Sequence, residues 1–301
     1  MATFDVIIIG GGPGGMSAAL WCADLGLNAV LVDQHAEFGG QLLRTFNPIT
    51  NYLGIPKIDA RDLCSRFLET VASKQVMQIA GAMVTVANLA RKTVELADGR
   101  RLSGRSVIIA TGVRRRSLGV PGEVELVGKG ILESGVRDAE TVRGKSVVIV
   151  GGGDAAIENA ILLAETAASV SVIHRRSELS ARSEFVERLH AIGNVRLILG
   201  QTLSKICGQD AIRSVQLGDG SLLNTDAVLI RIGVEPNTEL FRNQLALDDS
   251  GYVSISSSCE TSREGVYAIG DAASPGSPTI MNAAGQASAA AKSLVNWLRV
   301  G

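Results

Sequence analysis

The chain has 301 residues, 46% hydrophobic and 20% charged, the profile of a compact globular protein with length for about two domains. A formal net charge of -1 gives no reason to expect nucleic acid or an acidic membrane surface as a partner. No apolar run approaches the roughly 18 residues of a membrane helix, and the first strand starts almost at once, so no signal peptide and a cytoplasmic protein are expected.

Cys22, Cys64, Cys207 and Cys259 share no C-x-x-C spacing, and the three histidines are scattered. Reduced structural thiols and no metal site are therefore expected.

In chain order, Asp5 to Ile9 is an apolar run suited to a strand buried on both faces of a parallel sheet. Gly10, Gly12 and Gly15 follow in G-x-G-x-x-G spacing, and Met16 to Leu20 continues as a small-residue helix. A second strand, Ala29 to Val32, ends on Asp33, 18 positions after Gly15, where an acid can reach a ribose hydroxyl. Gly39-Gly40-Gln41-Leu42 and Asn51 to Pro56 are either connectors or, through Gln41 and Tyr52, part of a cofactor lining. A helix is predicted over 60–72, with Leu63, Phe67 and Val71 on one face. A β-rich stretch over 76–102 contains the turn Ala97-Asp98-Gly99, and Val107 to Gly112 reads as a buried strand ending in a tight turn. Arg114-Arg115-Arg116 is either a solvated loop or a docking patch.

The opening unit then recurs. Val147 to Val150 feeds Gly151-Gly152-Gly153-Asp154-Ala155-Ala156, with alanine as a permitted third position, and a helix continues to Ala164. Both turns suit a diphosphate at a helix N-terminus. After the second strand, Val170 to Ile173, the acid is replaced by His174-Arg175-Arg176, with Arg182 nearby. Guanidinium groups there can pair with a 2′-phosphate, which selects NADPH; the alternative is a basic surface turn. A β-rich stretch spans 195–223, and Val228 to Gly233 closes the unit. The strand Gly265 to Ile269 ends on Gly270-Asp271, and a small-residue helix is predicted over 279–300. Asp271 is a turn residue on its own; the helix start at Thr279 to Met281 can also face an electron-rich ring.

From about Phe4 to Leu298 the chain resembles the low-molecular-weight thioredoxin reductase family of flavoproteins. The resemblance rests on Gly10 to Gly15, Gly39 to Leu42, Ala110-Thr111-Gly112, Gly151 to Ala156, His174-Arg175-Arg176 and Gly270-Asp271. It implies an α/β fold of two Rossmann-like, three-layer dinucleotide-binding domains. The FAD-binding domain would cover 1–114 and resume at 238–301 after an NADPH-binding domain at 118–234. Implied FAD contacts are Gly10, Gly12, Pro13, Gly14, Gly15, Asp33, Gln34, Gly40, Gln41, Leu42, Asn51, Tyr52, Val84 (through its backbone), Ala110, Thr111, Gly112, Gly270, Asp271, Thr279 and Ile280. Implied NADPH contacts are Gly151, Gly153, Asp154, Ala155, Ala156, His174, Arg175, Arg176, Arg182 and Gly233. Homodimers are usual in the family.

The chain departs from the pattern of the family it resembles at one place. The redox motif Cys-x-x-Cys-Asp belongs 17 residues before Gly151, where this chain has Ser134-Gly135-Val136-Arg137-Asp138. Asp138 is retained as the candidate catalytic acid, but neither serine nor arginine can relay electrons to a disulfide. Ferredoxin (flavodoxin)-NADP reductases of this fold also lack the dithiol, and Gly54 to Arg61 resembles their Gly-Phe-Pro-Lys-Ile segment. Those enzymes usually extend past the last helix, whereas this chain stops at Gly301. Bacillithiol disulfide reductase-like proteins lack the pair too, but carry a cysteine where this chain has Gly14. The expectation is an enzyme passing electrons from NADPH through FAD to ferredoxin or flavodoxin, docking near Arg114 to Arg116. Alternatives are a disulfide or quinone reductase or NADPH oxidase without an internal dithiol, and a redox-sensing flavoprotein.

Overall fold

The computed structural model describes residues 3–300, which form two compact units. The first is built from the chain up to Arg114 and again from Glu235 onward; the second runs from Arg115 to Val234.

The first unit opens with β1 (Thr3–Ile9), α1 (Pro13–Asp24), β2 (Ala29–Val32), α2 (Ala60–Ala72) and β3 (Met77–Ile79). An antiparallel pair, β4 (Val84–Asn88) and β5 (Thr93–Leu96), leads into the long β6 (Arg101–Ile109). β1 lies between β2 and β6 and runs parallel to both. Its alternation explains the unbroken apolar run. Val6 and Ile8 pack with α1, α2 and the C-terminal helix, while Ile7 and Ile9 pack with β4 and β5 on the other face. α2 starts because the Asp59 side chain accepts a hydrogen bond from the Arg61 amide at 2.8 Å, and Leu63 and Val71 point inward.

β7 (Val113–Arg115) carries the chain into the second unit. There follow β8 (Ile131–Leu132), α3 (Gly135–Asp138), β9 (Ser146–Val150), α4 (Asp154–Ala164), β10 (Ser169–His174), α5 (Ser183–His190) and β11 (Val195–Leu199). An antiparallel meander, β12 (Leu203–Gly208), β13 (Ile212–Leu217) and β14 (Leu222–Asn224), precedes β15 (Ala227–Ile230). The parallel sheet has the order β11-β10-β9-β15-β8. The layering repeats that of the first unit: Val147 and Ile149 of β9 face α4 and α5, and Val148 and Val150 face the meander.

β16 (Val234–Pro236) returns the chain and pairs with β7. β17 (Val266–Ala268) then adds to β6 in parallel, and α6 (Ile280–Val300) closes the fold. The architecture is two three-layer α/β units, the first discontinuous in sequence. β6 ends at Ile109 and β15 at Ile230, and the backbone then turns through positive φ at Gly112 (64°), as the expected tight turn requires, and at Gly233 (94°). Among the described residues, no helix is long and apolar enough to cross a membrane.

Candidate functional site

The first glycine turn is dictated by close packing. Gly10 has φ 108°, and a Cβ there would overlap the carbonyl of Ala110. A Cβ at Gly15 would overlap the carbonyl of Gly10, so this residue lets α1 pack directly against β1. Gly14 is different, since its Cβ would make ordinary contacts at 3.5 Å. Pro13 begins α1 with its fixed φ, the N-cap Gly12 makes no side-chain cap bond, and no acid lies in the first turn. The leading amides of α1 are thus left for an anion.

That helix start opens onto a cavity of about 1150 Å³ within the first unit. Its wall includes Gly10, Gly12, Pro13, Gly14, Asp33, Gln34, Gly40, Gln41, Leu42, Val84, Ala110, Thr111, Gly112, Gly270, Asp271, Thr279 and Ile280. Three of the expected FAD contacts lie off this wall. Gly15 is buried behind the turn, Asn51 is exposed, and Tyr52 packs at 6.0 Å against the Phe67 ring.

Asp33 sits at the end of β2 as expected, and its carboxylate already holds backbone. It accepts hydrogen bonds from the Gly11 amide at 2.6 Å and the His35 amide at 2.8 Å. It therefore fixes the glycine turn, with lone pairs remaining for a ribose. The Gln41 side-chain amide donates to the Val113 carbonyl at 2.7 Å, which anchors the 40–44 turn to β7. Asp271 lies on a short turn held by Gln286, whose side-chain oxygen accepts from the Gly270 amide at 2.7 Å. Burial pushes the Asp271 carboxyl above the usual carboxylate range. Thr279 caps α6, accepting from the Asn282 amide at 3.1 Å.

Sequence reading missed Asn237 and Gln286. Asn237 lines the cavity, donates from its side chain to the Thr111 carbonyl at 2.8 Å, and accepts from the Thr111 hydroxyl at 2.7 Å through its own carbonyl. The only signal for it was its place just after the short strand β16, in Pro236-Asn237-Thr238.

The second turn repeats the first. Gly151 has φ 146°, and a Cβ there would overlap the carbonyl of Arg231, as Gly10 would overlap that of Ala110. Ala156, fully buried, replaces the third glycine, and Gly153 is the N-cap of α4 without a side-chain cap bond. Ala155 is exposed beside it, and Gly233 lies in the turn before β16, accepting from the Arg116 amide at 3.0 Å. At the end of β10, Arg175 and Arg176 are exposed and take part in none of the ion pairs among the described residues. Arg182 differs. Its Nε donates to Asp154 at 2.8 Å and its guanidinium lies 4.6 Å from the Phe185 ring centroid, so it steadies the start of α4. The His174 ring lies directly beneath Gly152 with Nε2 buried and unpartnered. Burial, with Arg176 and Arg175 adding repulsion, holds this imidazole below its ordinary range against a backbone hydrogen bond to Glu178.

The loop that would carry the redox dithiol is tied into the second unit. The Gly135 amide donates to the Asn159 side-chain oxygen at 2.6 Å. Asp138 Oδ2 accepts from the amides of Glu133 at 2.6 Å and Ser134 at 2.9 Å, and Arg137 pairs with Glu133 at 2.6 Å. The carboxylate expected to act as an acid thus holds its own loop. The basic triplet is equally engaged. Arg114 pairs with Glu235 at 2.8 Å and with Glu239, Arg115 donates to the Glu133 carbonyl at 2.6 Å, and Arg116 donates to the Val234 carbonyl at 2.9 Å. All three side chains are nevertheless exposed; Arg114 is paired with acids, and the other two donate to carbonyls.

Residues 4–287 match the family described as pyridine nucleotide-disulphide oxidoreductase. The chain is 35% identical to a thioredoxin reductase of Mycolicibacterium smegmatis, covering 98% of this chain and 96% of that protein. Identity to the thioredoxin reductase of Bacillus subtilis strain 168 is 32%, over 98% of this chain and 95% of that one. The crystal structure of Lactococcus lactis thioredoxin reductase superposes with a TM-score of 0.84 at 28% identity, covering 99% of this chain and all of the other. The chain belongs to the pyridine nucleotide-disulphide oxidoreductase family, as a member of the thioredoxin reductase-like flavoproteins that use FAD and NADPH.

Proposed function

We propose that this protein is an NADPH-linked, FAD-dependent oxidoreductase that passes electrons to an external carrier, ferredoxin or flavodoxin, without an internal dithiol. The observation that carries the proposal is the loop Ser134 to Asp138, which has no thiol on an otherwise intact two-turn framework. The three buried cysteines, Cys22, Cys64 and Cys259, are poor substitutes. Burial pushes Cys22 up to about 12 and Cys259 up to about 11, and it raises Cys64 as well, so their reactive thiolate forms are disfavoured.

The first unit suits FAD. Its cavity of about 1150 Å³ exceeds the usual range of roughly 300–1,000 Å³ for small-molecule sites, as an extended dinucleotide requires. The uncapped start of α1 offers amides to the diphosphate, and Asp33 has capacity left for a ribose hydroxyl. The start of α6, with Thr279 and Ile280 on the wall, contributes its positive end to the ring region. The second unit suits NADPH, with Gly153 at the helix start and Arg175 and Arg176 where the 2′-phosphate would lie. When bound, FAD supplies the two-electron chemistry, with NADPH as hydride source.

A carrier protein is favoured over a disulfide by the segment Gly54 to Arg61. It begins in a tight turn bridged between Tyr52 and Ile55, with Leu53 86% exposed at the tip. By the same resemblance the protein is read as a cytoplasmic homodimer, and its free cysteines fit a reducing compartment.

The test is an anaerobic NADPH titration followed by an acceptor screen. The flavin absorbance should bleach within seconds, and kcat/KM for ferredoxin or flavodoxin should exceed that for disulfides and quinones at least tenfold. Absence of bleaching would turn the reading toward a sensor, and faster turnover of a disulfide or quinone would replace the acceptor.

A further inference from the structure

We infer that Arg231, seconded by Arg115, makes the nucleotide crevice of the second unit discriminate between the two oxidation states of its ligand, holding the neutral reduced nicotinamide and disfavouring the cationic oxidised ring. The inference rests on the NADPH reading of this unit.

The topology places the pair. Strand order in the sheet reverses between β9 and β15, and a dinucleotide crosses the carboxyl ends of the strands at such a switch point. The glycine turn follows β9, and Arg175 and Arg176 follow β10, which assigns the adenosine half to that side. The nicotinamide half therefore extends over β15 and β8. Arg231 is the residue after β15, and its carbonyl packs against Gly151. Its guanidinium reaches along the sheet edge: Nη1 donates to the Ile230 carbonyl at 2.9 Å and Nη2 to the Glu133 carbonyl, just past β8, at 2.5 Å. Arg115 Nη1 donates to that same carbonyl at 2.6 Å, so the two nitrogens lie within about 5 Å of each other.

The neighbouring acids do not cancel this charge. Glu133 pairs with Arg137 at 2.6 Å, and Asp138, bound to two backbone amides, approaches the same arginine at 3.6 Å. At this strand end the guanidinium groups of Arg115, Arg137 and Arg231 outnumber the carboxylates of Glu133 and Asp138. Arg231 is half-buried, and burial with repulsion from Arg115 pulls its guanidinium down to about 10, still cationic at neutral pH. Oxidised nicotinamide carries a positive ring charge and reduced nicotinamide carries none. A cation near the sheet edge therefore repels only the oxidised ligand, which favours capture of NADPH and release of NADP⁺. At an effective dielectric constant between interior and surface values, one charge about 10 Å away corresponds to roughly 4- to 15-fold in affinity ratio.

The test uses the full-length holoprotein and calorimetric titration with three ligands. These are NADP⁺, the redox-inert neutral-ring analogue tetrahydro-NADP, and the nicotinamide-free fragment adenosine 2′,5′-bisphosphate. In Arg231→Met the ratio of NADP⁺ to tetrahydro-NADP dissociation constants should fall by roughly 4- to 15-fold, with the fragment unchanged. Arg231→Lys should keep the wild-type ratio, and Arg115→Met should lower it less. Should Arg231→Met not fold, Arg115→Met and the shrinking of the wild-type ratio with added salt decide the matter. A ratio that stays constant across variants and salt overturns the inference while leaving the NADPH reading intact. Failure of the wild type to bind any of the three ligands would overturn both.

Discussion

The two glycine turns are near-copies in backbone and opposites in side-chain chemistry. Gly10 and Gly151 each sit under a carbonyl from a neighbouring strand end, Ala110 in one unit and Arg231 in the other. A Cβ on the next residue would strike an aromatic ring in both, Phe38 beneath Gly11 and His174 beneath Gly152. What differs is charge. The first turn is braced by a carboxylate, Asp33, while the second is surrounded by His174, Arg175, Arg176 and Arg231. The backbone geometry is what any diphosphate requires; the side chains at the strand ends distinguish one dinucleotide from another.

The comparison breaks most completely at the first glycines. Gly10→Val and Gly151→Val each force a side chain onto a carbonyl at positive φ, at a cost of about 3 kcal/mol or more. Gly10→Val is expected to purify without flavin, whereas Gly151→Val should keep its flavin and lose NADPH binding. Flavin absorbance and equilibrium dialysis separate the two outcomes, and loss of both ligands from both variants would show that the turns do not act independently.

A smaller effect tests the charge difference. Replacing Arg175 and Arg176 together with alanine should raise the Kd for NADPH by roughly 10- to 100-fold while leaving NADH within a few-fold. Equal losses for both coenzymes would remove the 2′-phosphate role from this pair.

The smallest effect concerns the two rings. His174 is held below the usual imidazole value of 6.5, so the unfolded chain takes up its proton first as pH falls. The stability contributed by the neutral ring is therefore complete above 6.5 and is lost as pH drops through the folded value. His174→Phe, which copies Phe38, should flatten the dependence of Tm on pH below 6.5. An unchanged pH profile in calorimetry would show that another group controls it.

Much of this site was legible because glycine turns are local. The conformations at Gly10 and Gly151 admit few other residues, and the runs Asp5 to Ile9 and Val147 to Val150 are apolar because both sheet faces are covered. The expected FAD contacts other than Gly15, Asn51 and Tyr52 lie on the cavity wall. Asn237 escaped notice because its partner Thr111 is 126 residues away, and no spacing in the chain connects them.

By itself the sequence determined the α/β class, the two dinucleotide turns and the absence of thiols at Ser134 and Arg137, since each depends on residues adjacent in the chain. Only the tertiary structure decided what the charged residues do. It gave Arg182 to Asp154, Asp138 to its own loop and the triplet Arg114 to Arg116 to nearby acids and carbonyls. It also brought Arg231 and Arg115 to one carbonyl at the end of β8. A charge is inexpensive to place anywhere on the surface, so its meaning depends on the partner that folding brings within about 4 Å.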